Sequence, residues 1–295
     1  MHTDESRITS VRNRRVVEVR KLTQRKHRER QGRFLVEGLQ ILAMAVERMQ
    51  EDAAAVRPHE VFYSEELFTG EIALRLLRDL VEAGADPVHV EPHVLDKLSE
   101  REASQGLAAT FEIGALDAPL DELTAATSSE PGLILVLDRL QDPGNLGTLI
   151  RTADAVGAHA VVLLEPCVDP FDPKTVRGTM GSLFSVPFAR VSDVEELWSW
   201  VCRRGLRPVG ADAAEGRTAW DEEALTGSVA LVLGNEARGV SPDLRDQLTD
   251  YVGLPMGGKA ESLNVSIAGG VLMYEWLRVN RPSVRDSGRP ASPCE

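Results

Sequence analysis

Long apolar runs are missing from this 295-residue chain. No stretch comes near the roughly 20 residues that would span a bilayer, which excludes an integral helical membrane protein. Cysteine is scarce as well. Cys167, Cys202 and Cys294 are an odd number in no metal-ligand spacing, so no disulfide framework is expected, and free thiols fit a reducing compartment. Met1-His2-Thr3-Asp4-Glu5 offers neither the basic n-region nor the apolar h-region of a secretory leader, and a cytoplasmic location is expected. Aromatic residues make up 5% of the chain, and positive charge is outnumbered, with 33 Lys and Arg against 46 Asp and Glu. On its net charge of −13 the chain would not be read as a nucleic-acid binder.

The charge is unevenly placed. Residues 7–33 hold eleven Lys and Arg against Glu18 and Glu29, a net of +9 in a chain that is otherwise acidic. Such a segment is either a solvated helix face or a phosphate-binding surface, with the acidic remainder discouraging binding elsewhere. The hydrophobic fraction of 43% and charged fraction of 27% are those of a soluble globular chain, and the length suggests two domains.

Periodicity supports an α/β chain in two parts. Phe34-Leu35-Val36 reads as a strand. Leu39, Ile41, Leu42, Ala45, Val46 and Met49 recur at helical spacing, Val61-Phe62-Tyr63 alternates, and Leu107–Phe111 reads as a closing strand. Residues 1–114 form one small domain on this reading. Periodicity fades over 115–131, the expected linker. A second domain, 132–280, alternates apolar strands at Leu133–Leu137, Ala160–Leu164 and Val229–Leu233 with helices at 146–156, 193–204 and 262–280, the pattern of a parallel sheet covered on both faces. The Pro/Ser-rich residues 281–295 are expected to be disordered.

Three glycine-bearing loops are candidates for the chemistry, although taken singly the first reads equally as an ordinary cap with a surface arginine and the second as a turn with a solvated glutamate. In PGNLGTLIRTADAVGA (143–158), Asn145 is placed to cap a helix that carries Arg151, an arginine suited to a phosphate. In LVLGNEARGVS (231–241), a buried strand runs into Gly234, where a ligand can approach the backbone, and Glu236 adds a carboxylate. In LPMGGKAESLNVSIAGGVLMYEWL (254–277), a loop with Ser262 and Asn264 feeds an apolar helix. Gly253–Lys259 fits G-x-x-x-x-G-K, but Ala260 stands where a phosphate loop needs a Ser or Thr hydroxyl for Mg²⁺. His89 and His93 do not make a metal pair, because Pro92 breaks the helix that i, i+4 ligands require. No metal site is expected.

In order and spacing these three loops resemble the motifs of the SpoU (TrmH-like) branch of SPOUT RNA methyltransferases. The basic start through Gly32–Gly38 resembles the ribosomal-protein-like α/β substrate-binding domain often fused ahead of it. The resemblance implies a C-terminal domain with a deep trefoil knot, an exception to the general absence of knots. It implies S-adenosylmethionine as methyl donor, a ribose 2′-hydroxyl of RNA as acceptor, and a homodimer with the 262–280 helix at its seam. By motif position, Leu233, Gly234, Asn235, Leu254, Pro255, Met256 and Leu263 would surround the cofactor, chiefly through backbone atoms. Asn145, Arg151, Glu236, Ser262 and Asn264 would be catalytic. Arg151 would hold the phosphate beside the reacting ribose and stabilise the developing alkoxide, since a guanidinium scarcely deprotonates to act as a base. Asn145, Ser262 and Asn264 would orient the nucleotide, and Glu236 would tether the loops or accept a proton through water. The RNA would meet Arg12, Arg14, Arg15, Arg20, Lys21, Arg25, Lys26, Arg28, Arg30 and Arg33. The fused N-terminal domain favours 23S ribosomal RNA, a class whose methylases include some that confer antibiotic resistance. A tRNA ribose methyltransferase and a non-catalytic RNA-binding protein are the alternatives.

Overall fold

The computed structural model describes residues 7–99, 104–124, 130–212, 216–248 and 250–281. Its N-terminal half opens with helices α1 (Arg14–Arg20) and α2 (Arg25–Gln31), separated by a 3-10 turn at Lys21–Thr23. β1 (Arg33–Glu37), α3 (Leu39–Glu51), β2 (Pro58–Tyr63), α4 (Glu71–Glu82), β3 (Asp86–His89), α5 (Pro92–Asp96) and β4 (Leu107–Glu112) follow. The strand expected to close this half is not at an edge. β4 lies between β1 and β2, antiparallel to both, and β3 extends the sheet in parallel beyond β2. Its LAATF run is buried throughout, and the small Ala108 and Ala109 suit a central strand covered on both faces.

The C-terminal half contains β5 (Leu133–Asp138), α6 (Pro143–Ala155), β6 (Ala160–Leu164), α7 (Pro173–Thr179), β7 (Phe188–Val191) and α8 (Val194–Arg203). β8 (Arg207–Ala211), β9 (Arg217–Thr218), β10 (Val229–Leu233), α9 (Pro242–Arg245), β11 (Asp250–Gly253) and α10 (Val265–Asn280) complete it. Its seven strands pair in parallel in the order β7-β6-β5-β10-β8-β11-β9. β5, β6 and β10 are wholly buried. Leu133, Leu135 and Leu137 pack into the core that holds α6 and α10, while Ile134 and Val136 join Trp200 of α8 on the other face. β7, β8, β9 and β11 are short and carry charge, glycine or proline, so no apolar run marks them in the sequence.

Two helix starts differ from expectation. α6 begins at Pro143, and its cap is Asp142, whose Oδ1 accepts the Asn145 N–H at 2.9 Å. Asn145 therefore sits inside the first turn, because proline at the first helical position and an acidic cap before it are the stronger start signal. The Asn145 N–H is the main cause that holds the Asp142 carboxyl below its ordinary range. α10 begins at Val265, capped by Asn264, whose Oδ1 accepts from the Ser266 N–H at 2.9 Å and the Ser266 hydroxyl at 2.6 Å. α6 and α7 cross at a glycine pair. A Cβ at Gly147 would lie 2.8 Å from both the Gly178 Cα and the Thr175 carbonyl oxygen, so only glycine admits this approach.

The two halves share one core. Of the chain's seven Phe, Phe34 and Phe111 from the first sheet meet Phe171, Phe184 and Phe188 from the C-terminal half, with ring centroids 4.8 Å apart for Phe34–Phe171 and 5.2 Å for Phe111–Phe184. Beside them Arg28, 2% exposed, donates from Nη2 at 2.6 Å and Nε at 3.0 Å to Asp169 Oδ2, and from Nη1 at 2.7 Å to the Leu22 carbonyl. Residues 115–124 of the expected linker follow the sheet edge. Asp117 bridges to Phe188 and pairs with Arg190, and Leu120 and Leu123 are buried. Residues 125–129, and all of the tail expected to be disordered except Arg281, lie outside the described residues.

Removing one partner of a buried ion pair strands the other charge. Arg28→Ala is expected to lower the unfolding free energy by about 3 kcal/mol in urea titrations, while Arg12→Ala, at an exposed position, leaves the midpoint unchanged.

Candidate active site

Three loops meet at the carboxyl ends of the central strands, where open α/β sheets bind ligands. β5 leads into Arg139–Asp142 and the first turn of α6, β10 into Gly234–Gly239, and β11 into residues 254–264 ahead of α10. One carboxylate joins them. Glu236 Oε1 accepts from the Asp142 N–H and from Asn145 Nδ2, both at 3.1 Å, and Oε2 accepts from the Gln141 N–H at 3.2 Å. Asn145 continues the chain, its Oδ1 accepting from Asn264 Nδ2 at 3.0 Å. Asn235 adds a second tie. Its Nδ2 donates to the Arg139 carbonyl at 2.8 Å, and its Oδ1 accepts from the Ala237 and Arg238 N–H groups of its own turn.

These bonds set the ionisation state. Burial pushes the Glu236 carboxyl up, but the bonds from Asn145 and from the backbone of Asp142 and Gln141 outweigh it and leave the group below its ordinary value of 4.5. The side chain is an acceptor on both oxygens. Of the two roles expected for Glu236, these bonds are those of a tether. The turn that carries it closes around glycine. A Cβ at Gly234 would fall 2.1 Å from the Gly239 carbonyl carbon and 2.2 Å from the Val240 nitrogen.

Beside the junction opens a cleft of about 570 Å³, a size typical of small-molecule sites. Leu233, Leu254, Met256, Leu263 and Leu272 form its apolar wall, and Asn235, Glu236, Ser262 and Asn264 its polar side. Gly234, Gly239 and Gly253 line it too, so no side chain screens the peptide groups at those points. An apolar slot flanked by bare main chain fits an adenosine-bearing cofactor, whose base needs a flat apolar wall and a few backbone donors and acceptors.

Six of the seven expected cofactor residues line this cleft. Pro255 does not, and it is exposed. Glu236, Ser262 and Asn264 line it, and Asn145 reaches it through its hydrogen bonds. Arg151 stands apart. It is exposed on α6, does not line the cleft of its own chain, and has no hydrogen-bond or ion-pair partner among the described residues. The sequence reading missed Asp142, although Asp-Pro at a helix start is a legible signal. It also missed Lys174, whose Nζ lies 3.4 Å from Asp142 Oδ2, and Asp212, which lines the cleft and pairs with Arg245. Asp212 follows β8, a strand with no apolar signature, so nothing in the sequence marked it.

The basic segment divides into paired and unpaired cations. Arg28 has to be withdrawn from the expected RNA contacts, because its guanidinium is buried and bound to Asp169. Arg15 and Arg33 bind Glu60, Lys21 and Arg30 pair with Glu18, and Arg25 pairs with Glu29. Arg12, Arg14, Arg20 and Lys26 are exposed with no side-chain partner among the described residues. Among the described residues no helix is long and apolar enough to cross a membrane, and no group of three His, Cys, Asp or Glu is placed to hold a metal ion.

The SpoU rRNA Methylase family model matches residues 132–274, and the MRM3-like substrate binding domain matches residues 13–109. A 23S rRNA (uridine(2479)-2′-O)-methyltransferase of Streptomyces viridochromogenes is 35% identical over 278 residues, covering 92% of this chain and 90% of its own. The chain belongs to the SpoU rRNA methylase family. Another SpoU relative, the 23S rRNA (guanosine(2553)-2′-O)-methyltransferase RlmP of Bacillus subtilis, is 33% identical over 90% of this chain and 97% of its own. Among solved structures, the AdoMet-bound rRNA methyltransferase from Sinorhizobium meliloti matches this SpoU chain with a TM-score of 0.80 at 31% identity, covering 92% of this chain and 97% of that one. The AdoMet complex of the SpoU methyltransferase AviRb from Streptomyces viridochromogenes gives 0.79 at 34% identity, covering 94% and 100%.

Two measurements check the geometry. Gly234→Ala is expected to abolish binding of S-adenosylmethionine in calorimetry, since the turn cannot close around a methyl group. Glu236→Gln is expected to destabilise the fold at neutral pH, because its amide sets a donor against a donor. The depressed carboxyl of Glu236 contributes stability that is fully present above the unfolded value of 4.5 and is lost as pH falls through the lower folded value. The gap between wild-type and Glu236→Gln urea midpoints should therefore narrow on titration from about pH 7 to about pH 3. A gap constant with pH would contradict the tether.

Proposed function

We propose that this SpoU methylase transfers the methyl group of S-adenosylmethionine to a ribose 2′-hydroxyl of 23S ribosomal RNA. The observation that carries this reading is the Glu236–Asn145–Asn264 junction beside an apolar, glycine-flanked cleft. It occurs in a chain that matches two 23S rRNA 2′-O-methyltransferases over nine-tenths of its length. The bound donor supplies an activated sulfonium methyl, which leaves the protein to align the attacking oxygen and ease the loss of its proton. Asn145 and Asn264 each spend one Nδ2–H within the junction and keep a second for the incoming nucleotide. Ser262 adds a hydroxyl on the cleft wall.

Arg151 is assigned to the phosphate and the developing alkoxide, acting in the cleft of a partner subunit. Its free guanidinium outside its own cleft supports that assignment. So does the apolar face of α10. There Ile267 and Tyr274 are exposed, and a hollow of about 610 Å³ lies between Val271, Tyr274, Leu277 and Trp220. A homodimer in the cytoplasm, with α10 at the seam, is the assembly we infer. We divide the chain into an RNA-binding part at 1–114, a connector at 115–131 and a transferase part at 132–280. The family's trefoil knot belongs to the same reading. It is supported by β11 pairing beyond β8 before α10 returns across the sheet to pack Gly269 against Leu149 and Leu233.

Mapping of 2′-O-methyl groups in 23S rRNA and tRNA, with and without the protein, is expected to show a new mark in 23S rRNA. A mark in tRNA alone would overturn the assignment. Arg151→Ala is expected to lower methyl transfer by about a hundredfold or more while cofactor affinity stays within about twofold. Mixing Arg151→Ala chains with Gly234→Ala chains should restore activity, since one mixed cleft then holds both intact groups. No restoration would place Arg151 with its own chain's cofactor.

A further inference from the structure

A second groove, of about 400 Å³, opens on the N-terminal half and shares no residue with the cofactor cleft. Val17, Leu35 and Leu98 give it an apolar floor, and Arg20, Lys21 and Lys97 surround that floor with positive charge. Arg20 and Lys97 are exposed and have no ion-pair partner among the described residues, while Lys21 Nζ lies 2.6 Å from Glu18 Oε1. Thr23, Gln24 and Ser99 add polar groups at the edge. In a chain of net charge −13, an apolar hollow ringed by cations is complementary to a polyanion that carries flat bases.

Thr23, Leu35 and Leu98 also form, with Glu37 of β1, a closed seam of about 10 Å³ against Pro173, Val176 and Arg177 of α7, so the groove lies directly beside that helix. The same helix carries Lys174, which touches Asp142, and the Asp142 N–H is held by Glu236. Groove, α7 and catalytic loop thus follow one another within a single chain.

We propose that this groove is a nucleotide subsite for the RNA substrate. A base rests on Val17, Leu35 and Leu98, its phosphates meet Arg20, Lys21 and Lys97, and the strand continues along α7 past Lys174 to the catalytic loop. The bound segment is single-stranded. A hollow of this size accepts one splayed base, and the paired bases of an A-form helix offer none. The proposal rests on the reading of this chain as an RNA methyltransferase and adds where the RNA is held.

The test compares the wild-type protein with the double variant Arg20→Glu/Lys97→Glu, both exposed positions, after urea melts have confirmed equal stability. A 23S rRNA transcript substituted with 4-thiouridine serves as the probe. At about 0.1 M salt, the variant is expected to bind it at least about tenfold more weakly. Its slope of log affinity against log salt should fall by about 1.4, the share of two single-strand phosphates. KM for RNA should rise with kcat and cofactor affinity kept, and the wild-type photocrosslink should fall within residues 17–24 or 97–99. Binding within about twofold of wild type at an unchanged slope, or crosslinks confined to the C-terminal half, would overturn the subsite. Methyl incorporation, counted separately with tritiated donor, reports on the transferase reading alone. A wild-type protein that crosslinks at the groove but transfers nothing keeps the subsite and loses the enzyme.

Discussion

The site depends on one carboxylate with more donors around it than its own loop can supply. Glu236 takes two backbone N–H groups and one side-chain amide from the segment after β5, and that amide's residue in turn accepts from Asn264 ahead of α10. Two segments about ninety residues apart along the chain are held in register by hydrogen bonds to an ionised group, which are stronger than neutral ones, and a third, about thirty residues further on, is held through the neutral Asn145–Asn264 bond. The cleft is the space these loops leave between them. Its apolar wall comes from β10, from the last loop and from α10.

A second constraint makes the two sheets act as one body. A chain with few aromatic residues concentrates five of its seven Phe at the seam between them, and it sinks Arg28 into the same interface against Asp169. Such a contact resists the relative motion that polar interdomain surfaces permit. The basic N-terminal segment is accordingly not a loose arm. Most of its cations are paired within the fold, and those that remain free are fixed in place relative to the catalytic loops. Arg151 shows the opposite economy. An exposed guanidinium without a partner among the described residues, on a helix whose other face is buried, contributes no contact to the isolated chain.

Much of this was legible in sequence. The buried strands Leu133–Leu137, Ala160–Leu164 and Val229–Leu233 announce themselves as continuous apolar runs, and Gly234 and Glu236 stand out where one such run ends, whereas Ser262 and Asn264, ahead of α10, are marked only by the resemblance to the family motif. β7, β8, β9 and β11 were hidden because short strands completed by neighbours need no apolar run of their own. The position of β4 at the centre of its sheet was hidden as well, since strand order is set by pairing across the sheet and leaves no trace in local periodicity. Asn145 suits a cap by residue type, but Asp142 and Pro143 supply the stronger start signal.

The sequence by itself determined the α/β alternation, the three ligand-facing loops and the residue types at the site, because burial period and turn chemistry are local properties of the chain. Only the tertiary structure decided which arginines of the basic segment face solvent and which is locked against Asp169. It likewise decided that Glu236 ties loops and that Arg151 does not line the cleft of its own chain. Each of those outcomes depends on which distant group a side chain meets, and charge or polarity along a sequence carries no record of the partner.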